Sequence, residues 1–143
     1  MTTNMTTNEA RYRTAAEWVL RLGLSAGFLS AVADRFGLAG APGAAAIAWG
    51  DWAHFRAYSD LLNGWMPAVL RPAVAVIATA AEVVLGIGLL VPWRTRWIAG
   101  LAGALLLVFA TTMTFVLGPK VPLNYSVWAA AGGALLLSAT SRP

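Results

Sequence analysis

Apolar residues in this chain run in blocks about as long as a bilayer is thick. No charge occurs in the 21 residues from Trp97 to Leu117, or in the 19 from Val121 to Ala139. From Pro72 to Trp93 the one charged residue is Glu82. A helix crossing a hydrocarbon core of about 30 Å needs about 20 apolar residues, so each block predicts a membrane-spanning helix. A fourth block, Thr14 to about Phe36, has Glu17 and Arg21 near one end, Asp34 and Arg35 at the other, and an uncharged stretch from Leu22 to Ala33 between them. Its alternative is a secretory signal peptide, with Arg11 and Arg13 as the basic region and "AVA" at Ala31 to Ala33 as the cleavage site. The pattern taken whole predicts an all-α integral membrane four-helix bundle with spans near 14–36, 70–91, 96–117 and 122–140. A flexible tail is expected over 1–13 and a single transmembrane domain over 14–143.

The connections agree with that arrangement. "VPWRTRW" (91–97) and "GPKVP" (118–122) are tight turns, and short turns make sequential helices antiparallel neighbours. The long connection, 37–69, begins with the glycine- and proline-punctuated "GLAGAPGAAA". It then changes character. Trp52, Phe55, Tyr58, Leu62 and Trp65 recur at helical spacing, with Asp51 placed to cap the start and Gly64 to end it. A short amphipathic helix is expected over 50–63, on the membrane surface or packed on the bundle.

Charge sets the orientation. Arg11, Arg13, Arg94, Arg96 and Arg142 fall on one side, against Arg35, Arg56, Arg71 and Lys120 on the other. This bias favours both termini in the cytoplasm of a multi-pass cell-membrane protein, with the long loop outside. The seven tryptophans lie near helix ends, as an aromatic belt requires. The formal net charge of +4 is spread over helix flanks, where it suits anionic lipid headgroups, and no nucleic-acid partner is expected.

Glu82 is the anomaly. Charge within a membrane span usually finds a partner. With the first helix starting at Thr14 and the second ending near Val91, Arg21 and Glu82 fall at similar depth on helices that can be neighbours. They are therefore expected to form an intramembrane ion pair or ligand site. Glu17, one turn before Arg21, is expected to pair with it, and Ser25 continues the same stripe. Asn124 and Tyr125 open the last helix and are expected to support the outer mouth of the bundle. The pair reads either as a clamp fixing which helix faces which or as a proton-accepting or ligand-binding carboxylate.

At this point the chain resembles the DoxX-like family of small four-helix membrane proteins, over roughly residues 18–140. The resemblance rests on "LRLGLSAGFLSAVADRFGL" and on "AEVVLGIGLLVPWRTRWIAGLAGALLLVFA". An early arginine followed by glycines is matched by Arg21, Gly23 and Gly27. A glutamate before a Gly/Leu-rich stretch and a basic turn is matched by Glu82, Gly86, Gly88 and Arg94. Family members often carry a lysine near the outer end of the first helix, where this chain has Asp34 and Arg35. The resemblance implies an accessory subunit of a redox, quinone-linked or oxidative-stress system.

The chain's own chemistry is sparse. It has no cysteine, which removes thiol relays, persulfide carriage, iron–sulfur ligation and disulfides. Its one histidine, His54, is read as an ordinary polar loop residue. A haem would need the formal pair with Met66. No metal-ligand spacing and no phosphate-binding glycine loop occur. "GLSAG" (23–27) matches GxxxG and is expected to mark tight helix packing, as are Gly100, Gly103, Gly132 and Gly133. Thr111, Thr112 and Thr114 are expected to bond back to their own helix. No cofactor is expected in the chain itself, with a quinone or lipid as the candidate ligand, and no catalysis is expected of it alone. Partners are membrane lipid and other protein subunits. Three function classes follow: the accessory redox subunit, a small oligomeric transporter or permeation unit using Glu82, and a purely structural assembly subunit.

Overall fold

The structure is a computed structural model that describes residues 2–141, with side chains described from residue 7 on; the orientation argument from Arg142 lies outside them. All regular elements among the described residues are helical: α1 (Thr2–Arg35), α2 (Trp52–Leu62), α3 (Arg71–Leu90), α4 (Thr95–Leu117), α5 (Lys120–Asn124) and α6 (Val127–Thr140). Three of them, α1, α3 and α4, are long and apolar enough to cross a membrane. α1, α3, α4 and α6 pack in a ring, α1 mainly on α3 and α4 mainly on α6, with α2 resting on α3 and α4. At one end of this ring, called the terminal end below, Arg13 of α1 meets Thr140 at the end of α6, and α2 closes the other.

Two expectations about element boundaries need correction. The segment 1–13, expected as a flexible tail, is helical from Thr2 onward, continuous with α1. It contains no glycine or proline to stop a helix. Near its junction with the bundle, Arg13 Nη2 donates to the Thr140 carbonyl at 2.6 Å, tying α1 to the end of α6. The last segment, expected as one helix over 122–140, is broken. α5 ends at Asn124, and Ser126 takes a left-handed conformation (φ 55°) before α6 begins. Asn and Ser favour local turns over continued helix, and a left-handed Ser stops the helical ladder. α6 alone has 14 residues, about 21 Å of helix.

The terminal end of the ring is tightly packed. Leu24, Phe28, Leu85, Leu89, Ala99, Ala102, Ala134 and Leu137 form one buried cluster. Small residues let α4 and α6 approach. A Cβ on Gly103 would stand 2.7 Å from Leu135 Cδ2, and one on Gly100 would stand 3.0 Å from Ser138 Oγ. At the other end, the loop after α1 folds back over the helix tops because Asp34 holds it. The buried Asp34 carboxylate accepts from the backbone N–H groups of Ala48 (2.9 Å), Trp49 (3.2 Å) and Gly50 (2.8 Å). Gly50 is required there. Its φ is +72°, and a Cβ would fall 2.3 Å from Pro42 N.

Asp51 then caps α2, its carboxylate accepting from His54 N–H at 2.8 Å. The helix ends at Leu62 with Asn63 as the cap residue, one position before Gly64. Phe55 and Ser59 are its buried face, while Trp65 lies beyond the helix and is exposed.

Candidate functional site: a cavity beside a buried ion pair

Glu82 is paired, and its partner is Arg35. Arg35 Nη2 donates to both carboxylate oxygens, at 2.7 and 2.8 Å, and Nη1 donates to Thr79 Oγ1 at 2.8 Å. Both side chains are almost fully enclosed, at 4% and 2% exposure. Phe55 covers the guanidinium at 3.9 Å and Trp49 flanks it at 5.3 Å. These are cation–π contacts, and they strengthen when desolvated. Thr79 in turn donates to the Ala75 carbonyl one turn back.

The expected Arg21–Glu82 pair is therefore corrected. Arg21 Nε donates to the Leu89 carbonyl at 2.7 Å, and its guanidinium lies over Trp18 at 4.3 Å. The register explains the difference. Ser25 Oγ donates to the Gly86 carbonyl at 2.7 Å, so α1 and α3 run antiparallel with Arg21 level with Leu89. Glu82 is seven residues further along, about 10 Å away. Side-chain direction completes the argument. Side chains lean toward the N-terminus of their own helix. In this antiparallel pair Arg35 and Glu82 lean toward each other, while Arg21 and Glu82 lean apart. Arg21 and Ser25 do share a buried stripe facing α3. Glu17 does not pair with Arg21 by a hydrogen bond; it accepts from Arg13 Nε at 3.3 Å, one turn earlier.

Beside the pair, α1, α3, α4 and α6, with α2 and the segment before it, line a partly open cavity of about 840 Å³. Arg35 and Glu82 are the charged residues lining it, and the rest of the lining is mostly apolar. α1 contributes Gly23 and Gly27, and a Cβ on either would meet nothing within 4 Å. The "GLSAG" match thus forms an open wall of this cavity, in place of the tight helix contact expected from GxxxG. Gly132 likewise faces open space, whereas Gly133 meets Leu20 at 3.0 Å. At the α2 end, Tyr58 and Ser59 of α2, Thr112 of α4 and Tyr125 line the cavity. Of Thr111, Thr112 and Thr114, expected to bond back to α4, Thr114 does so, to the Ala110 carbonyl. Burial pushes the Tyr58 phenol above its ordinary value, and the nearby Tyr125 adds to the shift.

Of the residues singled out from sequence, the structure places Glu82 and Tyr125 on this cavity, leaves Arg21 and Ser25 on the packed side against α3, and leaves Glu17 half-exposed beside Arg13. Asn124 is exposed. His54 is also exposed, its Nδ1 2.8 Å from Asp51 Oδ1. Missed in the sequence were Arg35, Thr79, Trp49, Ser59 and Thr112. A signal for Arg35 existed: it ends an apolar stretch, on the helix whose side chains lean back into that stretch. Comparison with family models, curated proteins and solved structures finds no match to this chain.

Proposed function

We propose that this chain is a membrane-embedded accessory subunit that holds a lipid-soluble quinone for a partner protein carrying the redox centres. It sits in the cell membrane with α1, α3, α4 and the broken α5–α6 segment as its four crossings. Both termini are cytoplasmic, and α2 lies over the outer end. The resemblance to the DoxX-like family and the arginine bias support this reading. The observation that carries it is the cavity: about 840 Å³ with largely apolar walls, beside a buried ion pair. That volume falls in the range of ordinary small-molecule sites. A clamp role for Arg35 and Glu82 would explain the buried charges, but it would leave the hollow beside them unexplained. The chain has no cysteine to carry electrons, so redox equivalents come from the partner.

The test is the lipid content of the chain purified from its native membrane in mild detergent. About one quinone per chain is expected, falling severalfold in Gly27→Leu, whose side chain would occupy the cavity. A wild-type chain carrying no quinone would refute the reading. Topology is checked separately: single cysteines at the exposed positions Ala57 and Arg96 should label from opposite faces of the membrane, and labelling from the same face would contradict the crossing pattern.

A further inference from the structure

We infer that the cavity takes an amphiphile with an uncharged, hydrogen-bonding head, seated at the α2 end between Tyr58, Ser59, Thr112 and Tyr125, with its apolar tail along the Gly23–Gly27 wall. This assignment rests on the reading of the cavity as a ligand site and adds the class of ligand and its direction.

Charge decides the class. Arg35 and Glu82 are the charged groups lining the cavity, and they neutralise each other. Both Glu82 oxygens are taken by Arg35 Nη2, and Arg35 Nη1 is taken by Thr79. Of the two Arg35 N–H groups these bonds leave over, Nε–H is sealed from any visitor and the second sits on Nη1, whose charge is already met by Glu82. An anionic head would enter a low-dielectric space with no uncommitted cation to meet it, which is costly. A neutral head meets no such penalty.

The hydroxyls decide the direction. Those of Tyr58, Ser59, Thr112 and Tyr125 make no hydrogen bond to the described residues. Those of Tyr58, Ser59 and Thr112 belong to residues that are not exposed, yet they are not sealed either; the sealed, unpartnered side-chain atoms are Arg21 Nη2 and Arg35 Nε. Thr112 does not bond back to its own helix as a helical threonine in an apolar setting ordinarily does and as Thr114 does; Thr111, likewise without a back-bond, is exposed and lies off the cavity. Tyr58 and Ser59 belong to α2 itself, Thr112 lies toward the end of α4 that α2 rests on, and Tyr125 follows α5 at that same end. Toward the terminal end the α1 wall offers only Gly23, Gly27 and apolar neighbours. From Val19 to Ala31 that wall is about 18 Å long, enough for an extended chain of a dozen or more carbons.

The test is native mass spectrometry of the full chain in detergent, titrated with three probes: 1-oleoylglycerol, its 3-phosphate, and decylubiquinone. Only binding abolished by Gly27→Leu is counted. The expected result is that 1-oleoylglycerol binds at least tenfold more tightly than its phosphate. The double change Tyr58→Phe with Thr112→Val should weaken it about tenfold, as loss of two neutral hydrogen bonds would. Equal or tighter binding of the phosphate, or unchanged binding to the double variant, would overturn the head-group assignment while leaving the cavity a ligand site. Binding of 1-oleoylglycerol without decylubiquinone would support the assignment and sink the quinone reading. No binding sensitive to Gly27→Leu would overturn both.

Discussion

At the terminal end of the ring, α1, α3, α4 and α6 meet through Leu24, Leu89, Ala99, Ala102, Ala134 and Leu137, with glycines bringing α4 onto α6. Along the cavity, which runs beside α1 from Val19 to the α2 end, the same helices stand apart, and at the α2 end polar chemistry joins them: Arg35 to Glu82 and Thr79, and Asp34 to three backbone N–H groups. The contrast separates two tasks. The packed end gains dispersion and close approach, which act between membrane helices as they do in water. The hollow end forgoes that packing, so the contacts that hold its walls must be few, strong and directional. A charged hydrogen-bonded pair is of that kind. Glu82 thus ties α3 to the end of α1 at the hollow end as well as lining it.

The largest effect should come from breaking that directional contact. Glu82→Leu or Arg35→Leu alone leaves an unpaired buried charge and is expected to cost about 3–5 kcal/mol, while the double change recovers much of the loss. Thermal unfolding of the wild type, both singles and the double in detergent measures this. Arg21→Leu combined with Glu82→Leu should show no such recovery, because those side chains do not meet. A recovery there and none with Arg35 would restore the pairing first expected from the sequence.

Next in size is a contrast between two glycines. Gly103→Leu overpacks the α4–α6 contact and is expected to destabilise by about 1–3 kcal/mol. Gly27→Leu enters open space and removes a helix glycine, so its melting temperature should match or slightly exceed the wild type. Equal losses at both positions would show that the two ends are packed alike.

Much of the fold was legible because its signals are long-range averages. Charge-free blocks over 97–117 and 72–93 fix α4 and α3 whatever their neighbours do. The site was less legible because it depends on register. Placing Arg21 level with Glu82 took Thr14 as the helix start, whereas α1 continues back to Thr2 and Arg21 sits level with Leu89. The direction in which Arg35 leans follows from helix geometry alone, but that it finds Glu82 depends on how far α1 slides along α3. Gly23 and Gly27 show the same limit. A GxxxG stripe marks a smooth helix face, and the sequence does not say whether another helix or a void lies against it. The break at Ser126 depends on one residue's left-handed conformation, which no apolar pattern announces.

The smallest expected effect concerns the α2 lid. The Asp51 carboxyl is held below its ordinary value, first by the His54 backbone N–H and then by the His54 ring. A depressed carboxyl contributes stability above its unfolded value and loses it as pH falls through the folded one. Acidification below about pH 3.8 should therefore loosen the start of α2. After correction for the intrinsic pH dependence of exchange, protection of the His54 amide should fall there in the wild type and stay constant in Asp51→Asn. Unchanged protection in the wild type would show that the cap does not hold the lid.

The claim that the α2 end is hollow in order to be filled is tested most directly by ligand-dependent melting. Decylubiquinone at about 100 times its dissociation constant should stabilise the wild-type chain by about 2.7 kcal/mol. Gly27→Leu, melting like the wild type without ligand, should show no shift at all. An equal shift in both chains would place binding elsewhere, and no shift in the wild type would contradict the account.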